Sequence, residues 1–269
     1  MRRHFLFLLL SAAVLAACSD FSKAVKSKDI GLKMAAVEKY YAKADYDRTL
    51  PLLEELLSLT RGDTLFERVS YLYAMSNFGL KDYILASYYL ENFAKTFSNS
   101  VHAEECTFLS AFCHYKESPE FELDQEDTQA AIDQLQLFMV RFPGTTLKDS
   151  CNNLIDGLRY KLEKKDYVNT DLYVKTRNYA AASIALRNFM RTWPNSDYRE
   201  DVLFNILLCD HDLTFNSVDF KKIERAEEGI RSFDTFADAF PQSGRMKDAQ
   251  HLKEDLEALI ERLKRIPAP

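Results

Sequence analysis

Four times along this chain the apolar and polar positions run through the same cycle. Phe93 is followed four residues later by Phe97 and then Ser98-Asn99-Ser100. Phe138 leads to Phe142 and Pro143-Gly144-Thr145, Phe189 to Trp193 and Pro194-Asn195-Ser196, and Phe236 to Phe240 and Pro241-Gln242-Ser243. Seven residues before the first aromatic stands Ala86, Ala131, Ala182 or Gly229, and three before it Leu90, Leu135, Leu186 or Phe233. Offsets of 3, 4 and 7 mark one face of an α-helix. Each copy therefore predicts an amphipathic helix with a small residue early, where a neighbouring helix can come close, and an aromatic at its end. Proline ends the helix, because it has no N–H and its ring restricts the preceding residue. The Ser or Thr two places on is placed to cap the next helix. A unit that closes one helix and opens another every 45–50 residues or so reads as a helical-repeat solenoid.

In chain order the pattern predicts five helix pairs, at about 30–63, 64–100, 101–145, 146–196 and 197–243. A last helix from Arg245 to Arg265 caps the open end. Between the helices of the third pair, Glu117 to Asp127 is acidic, contains Pro119 and reads as a solvated loop. Phe215 to Asp219 reads as a polar insert in the fifth.

The N-terminus is a different kind of sequence. Met1-Arg2-Arg3-His4 is basic and Phe5 to Ala17 is apolar, the layout of a secretory signal. Thirteen apolar residues are too few to span a bilayer core of ~30 Å. Residues 19–29 read as a polar tether. Loss of Arg2 and Arg3 with the leader would take the formal net charge from −6 to −8. That charge and the lack of a basic block argue against a nucleic-acid partner. With 47% hydrophobic residues and only seven glycines and seven prolines, the chain has the means for a helical core.

The sequence offers little to catalysis. No H-E-x-x-H, C-x-x-C or G-x-G-x-x-G is present, so no metal site, cofactor or phosphate loop is expected. His102, His114, His211 and His251 read as surface or satisfied-core side chains. Glu54-Glu55, Glu104-Glu105 and Glu227-Glu228 read as solvated helix faces. Cys106 and Cys113, on one predicted helix, lie ~10 Å apart, too far for a disulfide. The four cysteines beyond the leader read as buried thiols, and the spacing leaves a Cys151–Cys209 bridge open.

Two resemblances sharpen this picture. Asp82-Tyr83-x2-Ala86 and Asn178-Tyr179-x2-Ala182 resemble the turn of the tetratricopeptide repeat; Asp45-Tyr46-x2-Thr49 follows it loosely, and Thr128-x2-Ala131 lacks the Tyr. In the register set by Tyr46 and Tyr83, the first-helix positions lining the concave, peptide-binding side fall on Glu38, Tyr41, Arg68, Tyr71, Met75 and Phe78. The competing reading is that these side chains pack against the next repeat or the tether. Leu15-Ala16-Ala17-Cys18 resembles a bacterial lipobox, which implies that residues 1–17 are removed, that Cys18 is acylated, and that 18–29 is a lipidated tether.

Lipobox, repeats and the stretch Leu172-Tyr173-x-Lys175-x3-Tyr179-x-Ala181-Ala182, with Trp193-Pro194-x-Ser196, Asn216-Ser217, Glu224-Arg225 and Phe240-Pro241-x-Ser243, together resemble the outer-membrane assembly factor BamD family. The resemblance implies an all-α tetratricopeptide-like solenoid, with N-terminal repeats at 30–145 and C-terminal repeats plus capping helix at 146–269. It implies a non-enzymatic lipoprotein, on the periplasmic face of the outer membrane. Its expected partners are the periplasmic domains of the barrel subunit of the β-barrel assembly machinery, held by repeats 146–243, and unfolded outer-membrane proteins, which commonly end in an aromatic residue. Ser98 in place of Pro, the missing turn Tyr and the acidic loop depart from the family pattern. The rival readings are a periplasmic tetratricopeptide adaptor for envelope or cell-wall enzymes and a glycan-binding lipoprotein, the latter usually longer and with large aromatic loops.

Overall fold

A computed structural model of the protein describes residues 20–265. The expected leader and lipobox, with Cys18, lie outside the described residues. A short helical segment at 20–26 is followed by α1 (Ile30–Tyr41), α2 (Tyr46–Leu59), α3 (Leu65–Gly79), α4 (Tyr83–Thr96), α5 (Ala103–Glu117) and α6 (Glu126–Arg141). Then come α7 (Lys148–Lys175), α8 (Tyr179–Thr192), α9 (Arg199–Phe215), α10 (Asp219–Ala239) and α11 (Met246–Lys264). The fold class is all-α, a helical-repeat solenoid. The chain divides into two compact units, one reaching to Leu158 and the other starting at Arg159. The division falls inside α7, a helix of 28 residues that begins just after the repeat boundary expected near 145/146, so the two units part within a helix and not at that boundary. Consecutive helices pack on one another, α1 to α6 in the first unit and α8 to α11 in the second.

The repeated motif builds the same local structure four times. Phe93, Phe138, Phe189 and Phe236 are buried, as are Ala86, Ala131, Ala182 and Gly229 on the same faces. The second aromatic of each copy leaves its helix with a similar φ, from −114° at Phe97 to −135° at Phe240, its N–H still bonded to the carbonyl of the first. The hydroxyls of Ser100, Thr145, Ser196 and Ser243 then accept the N–H two residues on, at 3.0–3.2 Å. They bond the turn just before the next helix rather than its first full turn. Gly229 stands where the other copies have Ala because a Cβ there would meet Leu256 Cδ1 of α11 at 2.6 Å.

The turns inside the first, second and fourth pairs share another device. Ala44, Lys81 and Arg177 take left-handed φ of 53°, 62° and 56°. The following N–H, of Asp45, Asp82 or Asn178, reaches back to Tyr40, Asn77 or Tyr173. This is the Schellman closure, with ordinary residues where Gly usually stands. The Asp82 carboxylate also accepts from Leu85 N–H at 3.2 Å, capping α4. The third pair has the loop expected, at 118–125. The expected insert at 215–219 is shorter: α9 runs to Phe215 and α10 starts at Asp219, so the extra residues lengthen two helices.

All four described cysteines are free and buried, so Cys151 and Cys209 do not pair. Burial raises their thiol pKa values, to about 12 at Cys106, Cys113 and Cys209.

With Ala182 at 0% exposure, a larger side chain has no room. Ala182→Leu should cost ~1–3 kcal/mol through overpacking. Thermal unfolding beside Glu120→Ala, exposed on the 118–125 loop, checks this; equal shifts would mean that the small positions are not helix contacts.

Candidate functional site

The six expected groove residues all lie on α1 and α3, the first helices of the first two pairs. The structure joins them to α5, the first helix of the third. Glu38 and Arg68 are exposed and pair across α1 and α3 at 2.8 Å. Tyr41 is half-buried, edge-on to Tyr46 at 5.7 Å. Burial raises the Tyr41 pKa, with smaller contributions from Tyr46 and the Glu105 charge.

Tyr71 is tied to the third pair. Its hydroxyl donates to Glu105 Oε2 at 3.1 Å, and its ring stacks on His102 at 4.0 Å. Burial first, and then Glu105, raises its pKa far above the ordinary value. Met75 and Phe78 pack against a core that includes Cys106 and Cys113, and Phe78 also meets Phe112 at 6.4 Å. Tyr71 and Phe78 thus contact the next repeat, Met75 packs on the core that the two repeats share, and the open part of the surface is Glu38, Arg68 and the edge of Tyr41.

The Tyr71 arrangement recurs in the second unit with the same spacings. Tyr167 donates to Asp201 at 2.5 Å, stacks on Tyr198 at 4.0 Å and meets Phe189 at 6.1 Å. Tyr71 stands in the same relation to Glu105, His102 and Phe93, with 5.7 Å between the rings of Tyr71 and Phe93. A contact repeated in both units is part of how one first helix is fastened to the next.

Around Arg68 lies a cleft of about 230 Å³, walled by Thr64, Glu67, Tyr71, Val101 and His102. The guanidinium, an aromatic face and an aliphatic side chain meet there. A carboxylate attached to an apolar side chain fits such a cleft. It would displace Glu38, whose exposed bridge is worth only ~0–1 kcal/mol. Val101, His102 and Glu105 were missing from the expected set. A shift of 34 residues, the separation of Tyr71 and Glu105, carries the register onto α5 and finds Glu105 and Phe112.

A larger cleft, about 550 Å³, opens between α2, α3 and α4, lined by Arg61, Phe66, Tyr73, Tyr88, Tyr89 and Asn92 among others. None of the expected residues lines it. Among the described residues no cluster of metal-ligating side chains occurs, and no helix is long and apolar enough to cross a membrane.

Residues 32–222 match the family model YfiO, described as an outer membrane lipoprotein. No curated protein matches the chain. Among solved structures, a tetratricopeptide-repeat protein from Bacteroides fragilis NCTC 9343 is similar, with 13% identity and a TM-score of 0.40 over 87% of this chain and 100% of that one.

Proposed function

This chain belongs to the YfiO family of outer membrane lipoproteins, and from that membership we propose that it is the lipoprotein subunit of the β-barrel assembly machinery. In this reading Cys18 carries the lipid that holds the protein at the periplasmic face of the outer membrane. The protein is a binding scaffold, not an enzyme. The repeats at 146–243 hold the periplasmic domains of the barrel subunit. The surface of α1, α3 and α5 receives unfolded outer-membrane proteins.

The observation that carries the substrate role is the Arg68 cleft, where a cation stands beside Tyr71 and Val101. It suits a chain that ends in an aromatic residue with a free carboxylate. The test is binding of a labelled peptide of that kind to the domain without its anchor. Arg68→Glu should lower affinity about five- to tenfold, equivalent to ~1–1.4 kcal/mol. An amidated peptide should bind equally weakly to both proteins. Affinity independent of the peptide carboxylate, or unchanged in the variant, would remove this role. For the scaffold role, the full chain should co-purify with the barrel subunit from solubilised envelopes, and a chain ending at Leu158 should not.

A further inference from the structure

The chain enters the first unit at a fixed place. Asp20 meets Lys39 Nζ at 3.2 Å, and Phe21 stands edge-on to Tyr40 at 5.8 Å. Farther on, the Lys33 ammonium donates to the carbonyls of Ala24 and Val25 at 3.1 and 2.8 Å. These pairings make the 20–26 segment antiparallel to α1, so its first residue lies at the C-terminal end of α1, beside the turn into α2. The turn from α3 into α4 lies at the same edge, because Gly79 is pressed against the ring of Tyr46: a Cβ at Gly79 would fall 2.3 Å from Tyr46 Cε2. On and just after that second turn, Leu80, Ile84 and Leu85 are 38%, 69% and 43% exposed. Lys43 and Lys81 stand exposed on the two turns.

We infer that this edge of the first unit, made by the α1–α2 and α3–α4 turns, rests on the lipid bilayer with Ile84 and Leu85 in the headgroup region. The inference depends on the proposed acylation of Cys18. Cys18 precedes Asp20 by two residues, and two extended residues reach at most ~7 Å. The segment is held at Phe21 and by Lys33, so the bilayer that holds the acyl chains is held close to this edge. Apolar side chains gain by leaving water there, and the lysines suit lipid phosphates. A long free tether would leave every face of the domain equally close to the membrane; a docked segment selects one.

The test uses the full-length lipoprotein in vesicles of phosphatidylethanolamine and phosphatidylglycerol, with a polarity-sensitive fluorophore at Ile84→Cys or Val101→Cys. Val101 is 90% exposed and lies beyond the other end of α4, whose 14 residues separate the two positions by about 20 Å. The native thiols at 106, 113, 151 and 209 are buried with raised pKa values and stay unlabelled. The label at position 84 should shift to the blue and be quenched by a lipid-borne quencher, while the label at 101 stays aqueous. Aqueous spectra at both positions, in protein that floats with the vesicles, would overturn the inference and leave the anchor intact. So would a label at 84 that is shielded only after a protein partner is added. Protein that does not float and has a free Cys18 thiol would overturn the acylation and the inference together.

Discussion

Asp210→Ala is expected to destabilise the second unit by about 3 kcal/mol, because it takes the acceptor from two buried hydroxyls and from one side of a guanidinium, groups that are costly to leave unmatched. Asp210, on α9, is 4% exposed. Its carboxylate accepts from Ser183 of α8 at 2.8 Å, from Ser232 of α10 at 2.7 Å and from Arg187 Nη2 at 2.8 Å. Arg187 also donates to Glu228 at 2.8 Å and, through Nη1, to Ser183 at 2.6 Å. Three helices are thereby fastened by one buried acid. Truncation removes the acceptor of two hydroxyls and a guanidinium at once. Asp210→Asn keeps an oxygen acceptor and should cost less. Urea unfolding of both variants beside Glu227→Ala, on the exposed face of α10, measures this. If Asp210→Ala shifts the midpoint no more than Glu227→Ala does, the network adds nothing to stability. Acid should loosen its outer part. The Glu228 pKa is lowered, by Arg231 first and then Arg187. Its contribution is present above its unfolded pKa and is lost as pH falls through the lowered value.

Lys33→Ala should be the second large effect, about 3 kcal/mol, and it should act on the N-terminal segment. Lys33 is fully buried, and besides the Ala24 and Val25 carbonyls it meets Glu55 at 2.5 Å. The alanine variant removes a packed four-carbon stem and leaves the Val25 carbonyl without its donor, which is costly where water is excluded. Lys33→Met keeps most of the stem and loses only the polar contacts, so it should cost less. Limited proteolysis reads the consequence directly: residues 20–29 should be cut early in Lys33→Ala and late in the unaltered protein. Equal cutting rates would show that the segment is held by Ala24 and Phe21 alone.

Both networks escape a reading of the sequence, and so does the docked 20–26 segment, which reads as a polar tether. Lys33 has the composition of a solvated position, and only the close approach of 20–26 and α2 gives it three acceptors. Nothing in the sequence around Asp210, between Cys209 and His211, marks it as a buried acid. Tyr71 shows the same limit. Its position on the first-helix face follows from the register, but its commitment to Glu105 and His102 depends on a helix about thirty residues later.

The sequence by itself determined the repeat. Phe-x3-aromatic, the small residue seven before it and the Ser or Thr after the break set which face of each helix is buried and where it ends. Helix periodicity and turn chemistry are local, so neighbours along the chain carry them in full. Only the tertiary structure decided which polar side chains go inside, which groove residues stay open, and that the 20–26 segment is docked. Those outcomes rest on pairings between helices distant in sequence, such as Lys33 with Glu55 or Arg187 with Asp210. Burial turns such a pair from nearly neutral at a surface into a requirement.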